Sequence, residues 1–174
     1  MSGGLWLGLT LPLMLGAGHE NLPAGWSVFT SKEGGFSVAV PGKPAENKQR
    51  VNTATATLEV HLFVVEGMKD TVYVVSYSDL PAAEIKAGTA EKRLDFARDG
   101  AVNNARGKLR TEKKITLDNH PGRELIIEAE KGVVIKMRIY AVKQRLYQAM
   151  AMGSGVFTQS KDAALFLDSL RLNK

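Results

Sequence analysis

The chain has 174 residues, 23 Lys+Arg against 18 Asp+Glu for a formal net charge of +5, 44% hydrophobic residues and no cysteine. That length suits one domain, and the ordinary balance of apolar and charged residues argues against intrinsic disorder. The lack of cysteine excludes a disulfide scaffold, a thiol nucleophile, a cysteine zinc site, an iron–sulfur cluster and a cysteine-linked lipid anchor.

Residues 1–18 carry no charged side chain, and Leu5 to Leu15 is an apolar run interrupted by Pro12. A helix needs about 20 apolar residues to span a bilayer core, so the run is too short to cross. With Gly16, Ala17 and Gly18 behind it, it reads as the apolar core and cleavage zone of a secretory signal, although no Lys or Arg precedes it. Export to the periplasm, cell envelope or medium is therefore expected. Residues 19–174 would form a single domain with no transmembrane span.

Trp26, Val28 and Phe29 open the folded part. Phe36, Val38 and Val40 share one face of a strand that Pro41 ends. In residues 55–65, Leu58, Val60, Leu62 and Val64 alternate with Glu59, His61 and Phe63, which predicts a half-buried strand with the even positions inside. A short loop joins it to Val72–Tyr77 as a hairpin. Ala90, Leu94, Ala97 and Ala101 lie at helical spacing, so a helix is placed over 82–104, with Thr89 an alternative N-cap because Gly88 weakens the first turn.

Lys108–Leu117 reads as a strand, followed by a turn over Asp118-Asn119-His120-Pro121-Gly122. Leu125 and Ile127, then Ile135, Met137, Ile139 and Ala141, alternate with charged residues. A loop at 131–133 would set Glu128 opposite Lys136. Lys143-Gln144 turns into Arg145–Met152, although neither residue favours positive φ. Ser160 caps a final helix whose stripe is Ala163, Phe166 and Leu170. The fold class is thus α+β: a single antiparallel sheet of about six or seven strands flanked by two helices.

The sequence holds no recognisable catalytic motif. Gly42-Lys43 is followed by proline, not by the Ser/Thr of a phosphate loop, and Gly153-Ser154-Gly155 lacks the spacing of a nucleophile elbow. With only His19, His61 and His120 available, a three-histidine zinc site is excluded in practice. Glu59 and His61 sit at i, i+2, and an exposed polar strand face accounts for them better than a metal pair. Asp118, His120, Arg123 and Glu124 could form a small polar cluster around the predicted turn.

The charge distribution is the most unusual feature. Lys86, Lys92, Arg93, Arg98, Arg106, Lys108, Arg110, Lys113 and Lys114 oppose only Glu91, Asp95, Asp99 and Glu112 within residues 86–114, an excess equal to the whole chain's net charge. This basic surface could dock an anionic surface or an acidic partner. Nucleic acid is disfavoured, because only Phe96 interleaves with the basic residues as a stacking platform.

Trp26-x-x-Phe29, then Glu33-Gly34-Gly35-Phe36-Ser37-Val38 leading to Val40-Pro41-Gly42-Lys43-Pro44, resembles the opening of bacterial exported PsbP-like domains. Pro121-Gly122-Arg123-Glu124-Leu125, Met137-Arg138-Ile139-Tyr140 and Arg145-Leu146-Tyr147-Gln148 resemble their second half, and Phe166-Leu167-x-Ser169-Leu170-x-Leu172 their closing helix and strand. The resemblance implies an antiparallel sheet flanked by helices. It also implies binding roles, since its name-giving members are extrinsic photosystem II subunits and a relative of the same fold binds a small GTPase. No functional residue carries over.

The expectation is an exported, non-catalytic binding or accessory module with no cofactor and an unknown protein partner or anionic surface. A hydrolase using carboxylates or His120, and electrostatic docking through residues 86–114, are the alternatives.

Overall fold

The structure, a computed structural model, describes residues 22–52 and 56–173, so the signal segment expected over 1–18 lies outside it. Its centre is a seven-stranded antiparallel sheet of order β3-β4-β5-β9-β8-β7-β6. The strands are β3 (Ala45–Asn52), β4 (Thr57–Glu66), β5 (Val72–Asp79), β6 (Lys108–Leu117), β7 (His120–Glu128), β8 (Val134–Val142) and β9 (Arg145–Gly153). A second, three-stranded sheet of order β1-β2-β10 is built from β1 (Ser27–Ser31), β2 (Phe36–Val40) and β10 (Arg171–Leu172). The single sheet expected from the sequence is therefore two. The fold class holds as α+β, and the described residues contain four α-helices rather than two: α1 (Ala82–Ala87), α2 (Ala90–Asn104), α3 (Gly155–Thr158) and α4 (Lys161–Asp168).

The large sheet is covered on both faces, which gives the domain two cores. On one face the small sheet and α4 enclose an aromatic core of Phe36, Phe63, Tyr73, Tyr77, Tyr147 and Phe166. On the other, α2 lays Leu94 over Leu125, Ile127, Met137 and Ile139. Strand alternation sorts side chains between them. Met137 and Ile139 of β8 point to the α2 side, whereas Tyr140 joins the aromatic side.

Local chemistry explains where the elements stop. Gly88 adopts an extended conformation (φ −140°, ψ 152°), so the helix expected over 82–104 breaks there, and Thr89 caps α2 by accepting from the Lys92 N–H at 3.3 Å. Ser154 and Ser160 cap α3 and α4 in the same way. The turn expected over 118–122 is only Asp118-Asn119, both at positive φ (47° and 66°), with Leu117 paired to His120. His120 and Pro121 already belong to β7. Gly122 is needed for packing rather than turning, because a Cβ there would lie 2.5 Å from the Tyr140 ring and 2.6 Å from the Ile139 carbonyl oxygen.

One pairing differs from expectation, and one strand was not expected. The β7–β8 connection turns over Glu130–Gly132, with Lys131 at φ 59° and Gly132 at 75°. This sets Glu128 opposite Val134 and Ile126 opposite Lys136. Buried faces survive the change because the pairing moves by two residues. Strand β3 has no apolar alternation and all eight of its residues are exposed, so nothing in its sequence marks it. It exists because it pairs with β4 along its whole length, from Ala45↔Val64 to Asn52↔Thr57.

In β4 the deeply buried pair is Phe63 and Val65, on the face the sequence reading placed outside, together with Leu58 on the opposite face. Both faces of this strand are covered, so its alternation carries no single inside.

Candidate functional site

A densely hydrogen-bonded polar constellation lies where the two sheets meet. The β1–β2 connection, Lys32–Gly35, is held from three directions. The Arg145 Nη1–H donates to the carbonyls of Glu33 and Gly34, both at 2.9 Å. The Tyr147 hydroxyl donates to the Gly34 carbonyl at 2.7 Å, and the Asn173 N–H to the Gly35 carbonyl at 2.8 Å. Arg145 also forms a two-pronged pair with Asp79, its register partner, with both bonds at 2.7 Å. Its guanidinium lies 4.4 Å from the centre of the Tyr77 ring. The pairing holds the Asp79 carboxyl below the usual carboxylate range. Glu33-Gly34-Gly35 and Arg145-x-Tyr147 were legible as separate patterns; the structure shows that they are two halves of one clamp.

Beside the clamp is an open cleft of about 440 Å³. Phe29–Glu33 form one wall, Glu46, Asn47 and Lys48 of β3 the other side, and His61 and Phe63 of β4 the floor. The exposed face expected for His61 is not found: its side chain is 12% exposed, beneath the β1–β2 connection. Its ring stacks on Tyr77 at 4.4 Å between centroids. Burial, then the nearby Glu33 carboxylate, push the Tyr77 hydroxyl up to about 12, so it keeps its proton at neutral pH. His61 Nδ1 lies 2.9 Å from the Tyr77 hydroxyl, in hydrogen-bond contact, and Nε2 lies 3.0 Å from a Glu59 carboxylate oxygen. Lys48 reaches Glu59 at 3.5 Å and Glu33 at 3.9 Å across the cleft.

A second cleft, of about 660 Å³, lies on the other side of Arg145. Asp118 and His120 line it with Asp79, Lys143, Tyr147 and Asn173. Arg123 and Glu124 do not join them. Arg123 is buried against α2, where it pairs with Glu91 and, at 2.9 Å, with Glu112; Glu124 points to the opposite face and accepts from Arg138 at 2.8 Å. The Arg123 guanidinium holds the Glu91 carboxyl below its ordinary range. Arg138 also donates to Asp168 at 2.7 Å and to the Leu167 carbonyl at 3.0 Å, tying α4 to the sheet.

The nine basic residues of 86–114 have different fates. Arg98 pairs with Asp95, Asp99 and Glu112, Arg110 with Glu128, and Lys114 approaches Glu91 at 3.9 Å. Arg93 donates to the Lys143 carbonyl at 2.5 Å. Lys86 on α1, Lys92 on α2, Arg106 after it, and Lys108 and Lys113 on β6 form no ion pair among the described residues. Helix rise alone separates Lys92 from Arg106 by about 20 Å, so these cations do not converge on one point. Among the described residues no cluster of three or more His, Asp or Glu could hold a metal ion, and no helix is long and apolar enough to cross a membrane.

The architecture is PsbP-like. The solution structure of cyanobacterial PsbP (CyanoP) from Synechocystis sp. PCC 6803 is similar with a TM-score of 0.59 and 11% identity, over 91% of this chain and 98% of that one. A crystallised protein of unknown function from Pseudomonas aeruginosa aligns at 10% identity with a TM-score of 0.41, over 80% of this chain and 90% of that one. No family model and no curated protein matches the chain. Identity this low shows the fold alone.

Proposed function

We propose that this PsbP-like domain is an exported, non-catalytic binding or accessory module. The observation that carries the reading is how the reactive groups beside the clefts are used. Arg145 directs its donors to Asp79 and two carbonyls, Tyr77 holds its proton to about 12, and His61 is fixed between Tyr77 and Glu59. His61 lines one open cleft and Arg145 the other, both walled by strands and turns. Such walls suit recognition of a partner surface. The binding roles implied by the PsbP-like resemblance agree with this, and the uncharged apolar leader supports export.

The test uses the full-length chain with a C-terminal tag. Expression in a bacterial host, cell fractionation and N-terminal sequencing should find an exported form cut near Gly16–Gly18. Cross-linking in the envelope fraction should then yield a defined complex. Retention of the uncut chain in the cytoplasm would remove the export reading. Robust turnover of ester, phosphoester or glycoside substrates would remove the non-catalytic one.

One observation favours the hydrolase alternative: His120 and Asp118 both face the second cleft. That alternative requires turnover lost in His120→Ala. Electrostatic docking through 86–114 is favoured by the cations that form no ion pair among the described residues, and requires binding to anionic vesicles that falls steeply with salt. Its charge-reversal test belongs at Lys92, Lys108 and Lys113. Arg98 is unsuitable because its ion pairs join α2 to β6.

A further inference from the structure

We propose that the cleft between β1 and β3 receives an extended peptide segment of a partner, which pairs with β1 as a fourth strand of the small sheet. The proposal deepens the binding-module reading and rests on it.

The small sheet runs β1-β2-β10, so one edge of Ser27–Ser31 has no strand beside it among the described residues. The large sheet below continues further. Phe29 of β1 packs on Phe63 of β4, with ring centroids 5.0 Å apart, and β3 lies one strand beyond β4. The two layers are thus offset by one strand, leaving a shelf over β3. Strands within a sheet lie about 4.8 Å apart and packed sheets about 10 Å apart, so a strand added to β1 would sit on that shelf. The cleft of about 440 Å³ occupies this space, lined by residues of β1, β3 and β4. An open strand edge offers alternating backbone donors and acceptors, which an extended polypeptide matches. The outer edge of β3 is open too, but the β1 edge is the one with a floor beneath it.

Charge on that floor selects the occupant. Glu46 lies opposite Phe63, Lys48 opposite His61 and Arg50 opposite Glu59, so the side chains of β3 on the shelf face read minus, plus, plus at alternate positions; Lys48 lies 3.5 Å from Glu59 and 3.9 Å from Glu33, so an acidic residue above it exchanges with those two carboxylates. A strand lying above also presents every second side chain downward. The complementary segment therefore carries, at alternate positions, one basic residue and then two acidic ones. The Phe29–Phe63 contact adds an apolar wall on the side toward β1.

The experiment uses the full-length chain and three fluorescein-labelled octapeptides, acetylated and amidated. The first has a Lys-Thr-Glu-Thr-Glu core, the second the charge-inverted Glu-Thr-Lys-Thr-Lys core, and the third repeats the first with alternate backbone amides N-methylated. Anisotropy should show saturable binding of the first peptide and roughly tenfold or greater weakening for the other two, because each loses several hydrogen bonds or charge contacts. Hydrogen exchange should slow at Ser27–Ser31 when the first peptide binds. The double substitution Lys48→Glu with Arg50→Glu should invert the preference between the first two peptides, a gain of function that a merely misfolded variant could not give.

Equal binding of the N-methylated peptide, no saturable binding at millimolar concentration, or protection confined to other strands would overturn the proposal. Concentration-dependent dimerisation that protects Ser27–Ser31 without peptide would overturn it in favour of a second copy of the chain. An envelope partner whose binding protects α2 and not β1 would sink the shelf while leaving the binding-module reading intact. Turnover lost in His120→Ala would sink that reading whatever the peptides do.

Discussion

Arg145 shows what one side chain does for this fold. It joins β5 to β9 through Asp79 and fixes the β1–β2 connection through two carbonyls. Arg145→Leu should therefore destabilise by about 2 kcal/mol, a figure reduced because Asp79 is partly exposed. Arg145→Lys should recover little, since an ammonium cannot span the carboxylate and both carbonyls. Chemical denaturation of the three proteins reads this directly. The pH dependence has a definite sign. The folded carboxyl of Asp79 lies below its ordinary value of 3.8, so its stabilisation is fully present above that value and is lost as pH falls through the lower folded one. The stability gap between wild type and Asp79→Asn should be flat from pH 7 to about 5 and shrink below about 4. A gap that widened in acid would contradict the pairing. Sequence alone showed Arg145 and Gly34 as parts of a resemblance, but 111 positions separate them, and no local pattern reports such a contact.

Elements were legible where local chemistry decides them. Ser160 capping α4, the Ala163–Phe166 stripe and the β8 alternation all follow from rules confined to one turn or one strand. The interruption at Gly88 follows the same logic, and it makes Thr89 a measurable cap. Thr89→Ala should cost about 0.5–1 kcal/mol, toward the low end of capping effects because the bond to Lys92 is long at 3.3 Å. Thr89→Ser should be neutral. Equal losses for both would show that packing, rather than the cap, holds that end of α2. Elements decided by distant partners were not legible. Strand β3 is exposed throughout and is specified by β4, and β4 itself misled because both of its faces are covered. The candidate cleft lies between these strands and β1, so the sequence could name its residues only separately. His61 illustrates this. Its i, i+2 relation to Glu59 was visible, while the stack on Tyr77 that removes it from the surface requires the β4–β5 register.

At the scale of the molecule, the central question is whether two cores separated by one sheet behave as one folding unit. Strands β8 and β9 send apolar side chains into both cores, and the backbone between those side chains is shared. Among the described residues the sheet is therefore the extensive route by which a defect in the aromatic core could reach the α2 core. A rigid, fully hydrogen-bonded sheet transmits little shape change but unfolds as a whole, so the cores should be energetically independent and cooperatively lost. Val38→Ala, beneath the small sheet, should cost about 2 kcal/mol and Ile127→Val, beneath α2, about 1 kcal/mol. The double variant should then cost their sum to within about 0.5 kcal/mol, because the sites share no partner. The slope of free energy against denaturant should stay at the wild-type value in all three, since slope reports the surface exposed in a single transition. Two separate transitions, or a slope that falls in Val38→Ala alone, would mean that the small sheet detaches before the large one. That outcome would bear on function as well, because the shelf proposed for a partner strand exists only while β1 stays docked on β4.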